Sequence, residues 1–141
     1  MFYCDSNLFI YPMTSKEAQA EAAIKILRAM ADGKIMGMTS SLALDEVLWV
    51  TWKSSSKGEA IKAVEAVLGL SNLEIVDTSV SDVKKAIELL KRYDLKPRDA
   101  IHAACSLNHA IFSIISGDAD FDMVKELKRL SFEDVISTQK L

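Results

Sequence analysis

Acidic side chains are the residues of this sequence whose types and spacing could do chemistry. The stretch Ser116–Asp122 reads SGDADFD and places three carboxylates within five residues, directly after the apolar run AIFSII. Asp5 follows the apolar run FYC, Glu46 lies within SSLALDEVLWV, and Asp99 lies within KPRDAIHAA. Like charges this close repel one another unless something positive lies among them. Clustered carboxylates serve either as acid–base pairs or as sites for hard cations such as Mg²⁺ and Mn²⁺.

The number of acids favours a cation site over an acid–base pair, because they exceed what a catalytic dyad needs and a divalent cation relieves their repulsion. Asp118 does not open an EF-hand loop, since the sixth position holds Met123 instead of Gly and the twelfth holds Arg129 instead of Glu. Zinc fits poorly, because His102 and His109 have no cysteine or second histidine at zinc spacing. Both histidines are interpreted as packed or exposed helix residues.

Each acid taken singly has an ordinary structural explanation. Asp5 suits a turn, Asp99 in a first helical turn is favoured by the helix dipole, and Asp77 suits a helix cap. Glu46 fits the polar stripe of a mostly apolar helix, and Asp45 points about 100° away from it into solvent. The joint placement of the acids at strand ends and helix starts is what favours a functional site.

The elements that must position these acids alternate along the chain. Short apolar runs predict strands, and periodic apolar residues predict helices between them. A short helix around residues 121–130 and a last short strand in EDVIS complete the prediction. The strands are FYC, KIMGMTS, LEIVDTS and AIFSIISG, and the helices lie in KEAQAEAAIKILRAMADGK, SSLALDEVLWVTWK, residues 57–70, SVSDVKKAIELLKRYD and LKPRDAIHAACSLNHA.

This alternation predicts βαβ units and a parallel sheet covered by helices on both faces. Ligands of open parallel sheets bind beyond the carboxyl ends of the strands, where Asp5 and Asp118 are expected. Gly33 is a plausible cap for the first long helix. The helix in SVSDVKKAIELLKRYD is amphipathic, and the apolar residues on one of its sides are Val80, Val83, Ile87 and Leu90.

Length and composition indicate one globular domain, residues 1–141. Half of the residues are hydrophobic, and only five are Gly and two Pro, which favours a compact fold over a linker or a disordered tail. No apolar run reaches the roughly 18 residues that span a bilayer, no secretion signal is recognisable, and the two cysteines form no C-x-x-C pair. A cytoplasmic protein with reduced thiols and no membrane association is therefore expected.

The net charge of −3 argues against a protein that coats nucleic acid by bulk charge, because neutralising phosphates requires Lys and Arg. Basic residues are nevertheless bunched within 53–62, 91–98 and 125–129. Such local patches can contact a phosphate backbone even when the whole chain is acidic. Solvated helix faces are the more ordinary explanation for most of them.

Four motifs in order, FYCDSNLFIY, TSSLALDEVLWV, LKPRDAIHAA and ISGDADFD, resemble the PIN-domain ribonucleases, particularly the toxin subunits of VapBC toxin–antitoxin pairs. The resemblance runs through nearly the whole chain. It implies an α/β fold, a PIN-like three-layer α/β/α sandwich with a central parallel sheet of four to five strands. The catalytic acids that it implies are Asp5, Glu46, Asp99 and Asp118, and the implied metal ligands are Asp5, Asp99, Asp118 and Asp120.

The resemblance also implies metal-dependent hydrolysis of RNA phosphodiesters with Mg²⁺ or Mn²⁺, in the toxin of a type II toxin–antitoxin pair. The implied partners are RNA, a small VapB-type antitoxin and a second copy of the chain in a homodimer. Arg98, or the lysines within 53–57, are candidates for steering phosphate. Trp49 is expected in the core, and Trp52 is the better candidate for an exposed groove or dimer face. Two alternatives remain open: a non-catalytic RNA- or partner-binding module and a structure-specific DNA nuclease.

Overall fold

The computed structural model describes residues 1–14 and 17–141. Short strands alternate with helices along the chain, and a 3₁₀ helix spans Ala119–Met123. The strands are β1 (Phe2–Cys4), β2 (Gly37–Ser40), β3 (Leu73–Val76), β4 (Ser113–Ile115) and β5 (Lys128–Leu130). The helices are α1 (Asn7–Thr14), α2 (Glu17–Ala31), α3 (Ser41–Ser54), α4 (Lys57–Leu68), α5 (Val80–Arg92), α6 (Pro97–Asn108) and α7 (Phe132–Thr138).

The five strands form one parallel sheet in the order β3-β2-β1-β4-β5. The central strand β1 pairs with β2 on one side and with β4 on the other, so that Tyr3 lies opposite both Met38 and Ile114. The strand order reverses between β1 and β4, and ligands of open α/β sheets bind at such a switch point. The predicted parallel sheet is confirmed, and it has five strands where four to five were expected.

Helices cover both faces of the sheet, because successive side chains of a strand point to opposite sides. Tyr3 and Ile114 pack in a buried cluster beneath α5 and α6. Their chain neighbours Cys4 and Ile115 pack on the opposite face, against residues of α1, α2, α3, α4 and α7. The arrangement is the expected three-layer α/β/α sandwich.

The end of α2 follows the sequence prediction. Gly33 has a φ of +76°, a left-handed conformation that glycine adopts without steric cost. Its amide donates to the carbonyl of Met30 at 3.0 Å, and the amide of Lys34 donates to Ala29 at 2.8 Å. This pair of bonds is the Schellman motif that terminates helices at a glycine, so the proposed cap at Gly33 is confirmed.

The last quarter of the chain differs from the prediction in two places. EDVIS belongs to α7 and not to a strand, because Ser131 and Asp134 form a capping box that starts a helix there. The fifth strand lies instead at Lys128–Leu130, within the segment predicted as a short helix, of which only the 3₁₀ turn is helical. A third difference lies near the start, where the unassigned run NLFIYPMT forms α1 directly after Asp5.

The apolar residues that the sequence places on one side of α5 face solvent. Ala86 and Leu89 form its buried side, and this leaves the predicted stripe on the outside. We call these outward residues the α5 stripe; its members, 38–72% exposed, are Val80, Val83, Ile87 and Leu90. An apolar stripe outside the core marks a surface that another protein can cover.

The expectation that Trp49 lies in the core is wrong. Val47 and Thr51 form the buried side of α3, which turns Trp49 outward to 55% exposure. Trp52, expected to be exposed, is 46% exposed. Within residues 1–14 and 17–141, the helices are too short or too polar to cross a membrane.

Candidate active site

The carboxyl ends of β1 and β4 are joined by hydrogen bonds to the buried carboxylate of Asp5. The amide of Asp5 donates to the carbonyl of Ile115 at 3.1 Å, which continues the pairing beyond β1. The Ser116 hydroxyl donates to Oδ2 of Asp5 at 2.7 Å, and the Ser6 amide donates to Oδ1 at 2.8 Å. The side chain of Asn7 in turn donates to the Ser116 hydroxyl at 3.1 Å. These bonds fix the Asp5 carboxylate at the switch point of the sheet.

Three further carboxylates converge beside this strand end. Asp118 caps the 3₁₀ helix after β4, Asp120 lies in that helix, and Asp99 comes from the first turn of α6. Oxygen atoms of these three side chains lie within 4.8 Å of one another. The loop after β4 approaches α1 so closely that a Cβ at Gly117 would lie 2.9 Å from Cε2 of Tyr11, which favours glycine at this position.

The third carboxylate of SGDADFD lies outside this group. Asp122 forms a two-pronged ion pair with Arg129 of β5, at 2.8 and 3.1 Å. A second contact of the same guanidinium, from Nη1 to the carbonyl of Ser116 at 3.1 Å, ties β5 to the start of the loop. Of the three carboxylates in SGDADFD, Arg129 therefore neutralises only Asp122. Asp118 and Asp120 repel each other, and a bound cation would relieve that repulsion.

Glu46 reaches the site from α3, and a buried histidine meets it there. His102 lies on α6 one turn after Asp99 and is 0% exposed. Its Nε2 contacts Oε1 of Glu46 and lies 3.7 Å from Oδ1 of Asp5. The other ring nitrogen, Nδ1, lies 2.8 Å from the hydroxyl of Tyr3. His102 therefore stands between two of the predicted catalytic acids.

Burial and mutual repulsion shift the ionisation of the site. Burial raises the pKa of Asp5, against the opposing effects of His102 and of the hydrogen bond from Ser116. Burial, followed by the negative charges of Asp5 and Asp118, raises the pKa of Asp99 to about 6. Burial lowers the pKa of His102, but the hydrogen bond with Glu46 and the surrounding carboxylates raise it above its usual value. The site is thus a concentration of negative charge that attracts protons or cations.

The residues present fit a hard divalent cation. Carboxylate oxygens are the ligands that Mg²⁺ and Mn²⁺ prefer, and three of them converge from two different elements. Burial, and after it the repulsion from Asp5 and Asp118, raises the pKa of Asp99, and a bound cation would offset that repulsion. Asp99, Asp118 and Asp120 would hold the cation, next to Asp5 at the end of β1.

The acids open into a surface cleft of about 640 Å³. Its acidic wall includes Glu46, Asp99 and Asp118, and its rim carries the two exposed basic residues Lys96 and Arg98. A cleft with carboxylates on its wall and basic side chains on its rim suits a phosphodiester. The basic side chains attract the phosphate, and the carboxylates hold a metal. The lysines within 53–57 do not line this cleft; Lys53 lies over Trp49, 5.5 Å from the ring centroid.

The structure brings the five predicted acids to one edge of the sheet, and their catalytic roles stay a prediction. Asp45 is exposed, as expected, and Asp77 lies in an exposed loop whose helix cap is Ser79. His109 is an exposed residue at the end of α6. Sequence reasoning missed the contribution of His102, although its position three residues after Asp99 places both on one helix face.

Comparisons with known proteins agree with this architecture. Residues 2–127 match the PIN domain family. The chain is 29% identical over 133 residues to ribonuclease VapC13 of Mycobacterium tuberculosis, covering 93% of this chain and all of that protein. Its fold is similar to that of VapC20 of Mycobacterium tuberculosis, a Sarcin-Ricin loop cleaving toxin (TM-score 0.72, 21% identity, 89% of this chain and 95% of that one). It is also similar to a toxin-antitoxin complex from Klebsiella pneumoniae (TM-score 0.65, 19% identity, 91% and 96%).

The family match spans nearly the whole described fold, from β1 to the residues just before β5. It includes each of the acids that converge at the switch point of the sheet, which follow β1, lie on α3 and α6, and follow β4. The five-stranded parallel sheet and its flanking helices are shared with the solved structures. On this evidence the chain belongs to the PIN domain family.

Proposed function

We propose that this protein is a metal-dependent endoribonuclease, the toxin of a type II toxin–antitoxin pair, which hydrolyses RNA phosphodiester bonds in the acidic cleft. The observation that carries the proposal is the convergence of Asp99, Asp118 and Asp120 within 4.8 Å at the carboxyl edge of a PIN domain. Its similarity to a protein named as a ribonuclease favours RNA over DNA. The intact set of acids favours an enzyme over a module that only binds.

The roles of the acids follow from their surroundings. Asp5, held by Ser6 and Ser116, cannot turn away from the cation site. Glu46 lines the cleft while His102 engages its Oε1, and we assign it the role of accepting a proton from the attacking water. The catalytic acids are Asp5, Glu46, Asp99 and Asp118, and the metal ligands are Asp5, Asp99, Asp118 and Asp120. When bound, Mg²⁺ or Mn²⁺ would supply a water of lowered pKa and stabilise the charge that develops on the phosphate.

The proposal is tested by incubating the purified protein with single-stranded RNA, transfer RNA and DNA of matched sequence, with Mg²⁺ or Mn²⁺ and with EDTA. Cleavage of RNA that requires the metal, and that the Asp5→Asn variant lacks, is the expected result. Equal cleavage by both proteins would assign the activity to a contaminant. RNA binding without cleavage would favour the binding module, and preferential cleavage of structured DNA would favour the DNA nuclease.

Arg98 is expected to bind the substrate phosphate at the rim of the cleft. Its guanidinium is exposed beside Asp99, so the Arg98→Ala variant should raise the KM for RNA about fivefold and leave kcat nearly unchanged. Steady-state kinetics on a short RNA checks this prediction. Arg28→Ala, which removes an exposed arginine from α2 on the opposite face, is the matched control and should change neither constant. An unchanged KM in the Arg98 variant would remove this residue from substrate binding.

A VapB-type antitoxin is the proposed protein partner, supported by the similarity to a toxin-antitoxin complex. An apolar groove of about 260 Å³ between α1, α2 and α4 suits an apolar segment of such a partner. The groove is lined by Phe9, Pro12, Met13, Leu27, Ala63, Ala66, Val67 and Leu70. The Ala66→Arg variant should cleave RNA normally but escape inhibition by a VapB-type antitoxin. Retained inhibition would place the partner elsewhere.

A homodimer is proposed through the α5 stripe. Its four exposed apolar side chains share one side of the helix, and an exposed apolar surface of this kind is one that a partner can cover. The Ile87→Glu variant should therefore shift the protein from dimer to monomer in sedimentation equilibrium. Ser81→Glu, a change on the same helix outside the stripe, should leave the dimer intact. A wild-type protein that sediments as a monomer would contradict the proposal.

A cytoplasmic location is proposed, and two free thiols agree with it. Cys4 and Cys105 are buried and free, and burial raises the pKa of both thiols to about 12. Neutral buried thiols react slowly, so neither cysteine is suited to redox chemistry. We place the protein in the cytoplasm, where thiols remain reduced.

A further inference from the structure

A buried chain of polar side chains runs from the core to the acidic cleft. The hydroxyl of Tyr3 lies 3.0 Å from that of Ser40 and 2.8 Å from Nδ1 of His102. The opposite ring nitrogen, Nε2, contacts Oε1 of Glu46. Tyr3, Ser40 and His102 are all 0% exposed, so water does not compete for these bonds. Such a chain is costly to bury unless every polar member is satisfied, as it is here.

The direction of the last bond follows from the chemistry of its partners. An ionised carboxylate only accepts hydrogen bonds, so Nε2 of His102 donates to Glu46. A ring flip about χ2 would place a carbon atom where Nε2 now meets the carboxylate, and it would also break the contact of Nδ1 with Tyr3. Tyr3 therefore holds the imidazole in the one orientation that serves Glu46. This polar chain links the central strand β1 to α6 and, through α6, to α3.

Glu46 needs such a restraint. Its side chain has three rotatable bonds, is partly exposed on α3 and lies near the negative charge of Asp5. Repulsion and conformational entropy both favour turning the carboxylate away from the cleft. The charge-assisted bond from His102 opposes both effects.

We infer that His102, oriented by Tyr3, is a positioning residue that holds the carboxylate of Glu46 in the acidic cleft. This inference rests on the proposed nuclease function, because it assigns His102 a role through Glu46. His102 itself is too deeply buried to touch RNA. The role explains why a histidine with no access to solvent stands within the acidic site.

Two variants of similar volume separate positioning from packing. His102→Leu fills the space without a donor, whereas His102→Gln places an amide N–H close to the position of Nε2. His102→Leu should lower kcat about 10- to 100-fold, the usual effect of removing a partner that orients a site carboxylate, with the KM for RNA nearly unchanged. His102→Gln should recover most of kcat. Equal losses in the two variants, or a loss confined to KM, would overturn the inference.

A double-mutant cycle tests whether His102 acts through Glu46. In the Glu46→Gln background, His102→Leu should lower the remaining activity less than about twofold, because the interaction that it removes is already weakened. A full additive loss would show that His102 acts by another route. If His102→Leu does not fold, Tyr3→Phe is the deciding variant, because it keeps the aromatic ring of Tyr3 and removes only the hydroxyl. It should lower kcat severalfold. An unchanged kcat would overturn the inference.

A readout without RNA or metal distinguishes failure of this inference from failure of the proposed function. In the metal-free protein, the Nε2 proton of His102 should give a slowly exchanging NMR resonance. Replacing the charged acceptor in Glu46→Gln should move that resonance upfield, because the bond loses its ionic character. A resonance that does not move would sink the positioning role. A wild-type protein with the expected resonance and no cleavage would instead count against the nuclease.

Discussion

Replacement of Asp99 by asparagine is expected to lower the rate of metal-dependent RNA cleavage by about a thousandfold. Asp99 contributes one of three carboxylates that converge within 4.8 Å, and asparagine keeps its shape while removing its charge. A misplaced or weakly held cation forfeits several kcal/mol of transition-state stabilisation, and about 4 kcal/mol corresponds to a factor of a thousand in rate. Single-turnover cleavage at saturating protein measures the loss without interference from product release.

Asp45→Asn is the matched control for this variant. It makes the same chemical change on an exposed residue of α3, next to Glu46 in sequence but turned away from it. Its cleavage rate should equal that of the wild type. A cleavage rate of the Asp99 variant within about tenfold of the wild type would contradict the assignment of Asp99 to the cation site, since a ligand loss costs more.

Addition of Mn²⁺ should raise the thermal stability of the protein substantially. A cation that binds only the folded state, at about a hundred times its dissociation constant, adds about 2.7 kcal/mol to the free energy of unfolding, or about 10 °C in Tm for a domain of this size. The added stability arises because the cation relieves the repulsion around Asp99. Thermal melts with and without Mn²⁺ check the prediction. NaCl at the same ionic strength separates a specific site from general screening.

The pH dependence of the metal-free protein follows from the raised pKa of Asp99. Its pKa is about 6 in the folded protein and about 3.9 in an unfolded chain, so the folded state holds this proton more tightly. The contribution of Asp99 to stability is fully present below about pH 4 and is lost as the pH rises through 6. Metal-free Asp99→Asn should therefore melt above the wild type at pH 7.5, with a difference that shrinks toward pH 4.

The same variant should respond less to Mn²⁺ than the wild type does. Higher metal-free stability with a weaker metal response is the pattern expected of a residue kept for function at a cost in stability. A variant that is both less stable and equally responsive would show that Asp99 has a structural role instead. The comparison uses the difference between two proteins at each pH, so titrating groups that do not interact with Asp99 cancel.

Local chemistry made much of the site predictable. Asp5 and Asp118 directly follow apolar strands, and parallel strands end at one edge of a sheet, so adjacency in space follows from position in sequence. Asp99 lies in the first turn of a helix that returns to the same edge. The parallel sheet was equally accessible, because strands and helices alternate with different apolar periods.

The sequence by itself determined which acids lie at the carboxyl edge of the sheet, since strand ends and helix starts depend on neighbouring residues. Tertiary structure alone decided their partners. His102 contacts Glu46, 56 residues away in sequence, and Tyr3, 99 residues away. Asp122 lies outside the cluster and pairs with Arg129 of β5. The tertiary structure also decided that the α5 stripe faces outward. An apolar stripe predicts that one side of a helix is covered, but it does not show which surface covers it. Contacts between distant elements depend on how whole layers pack, and no local pattern records that.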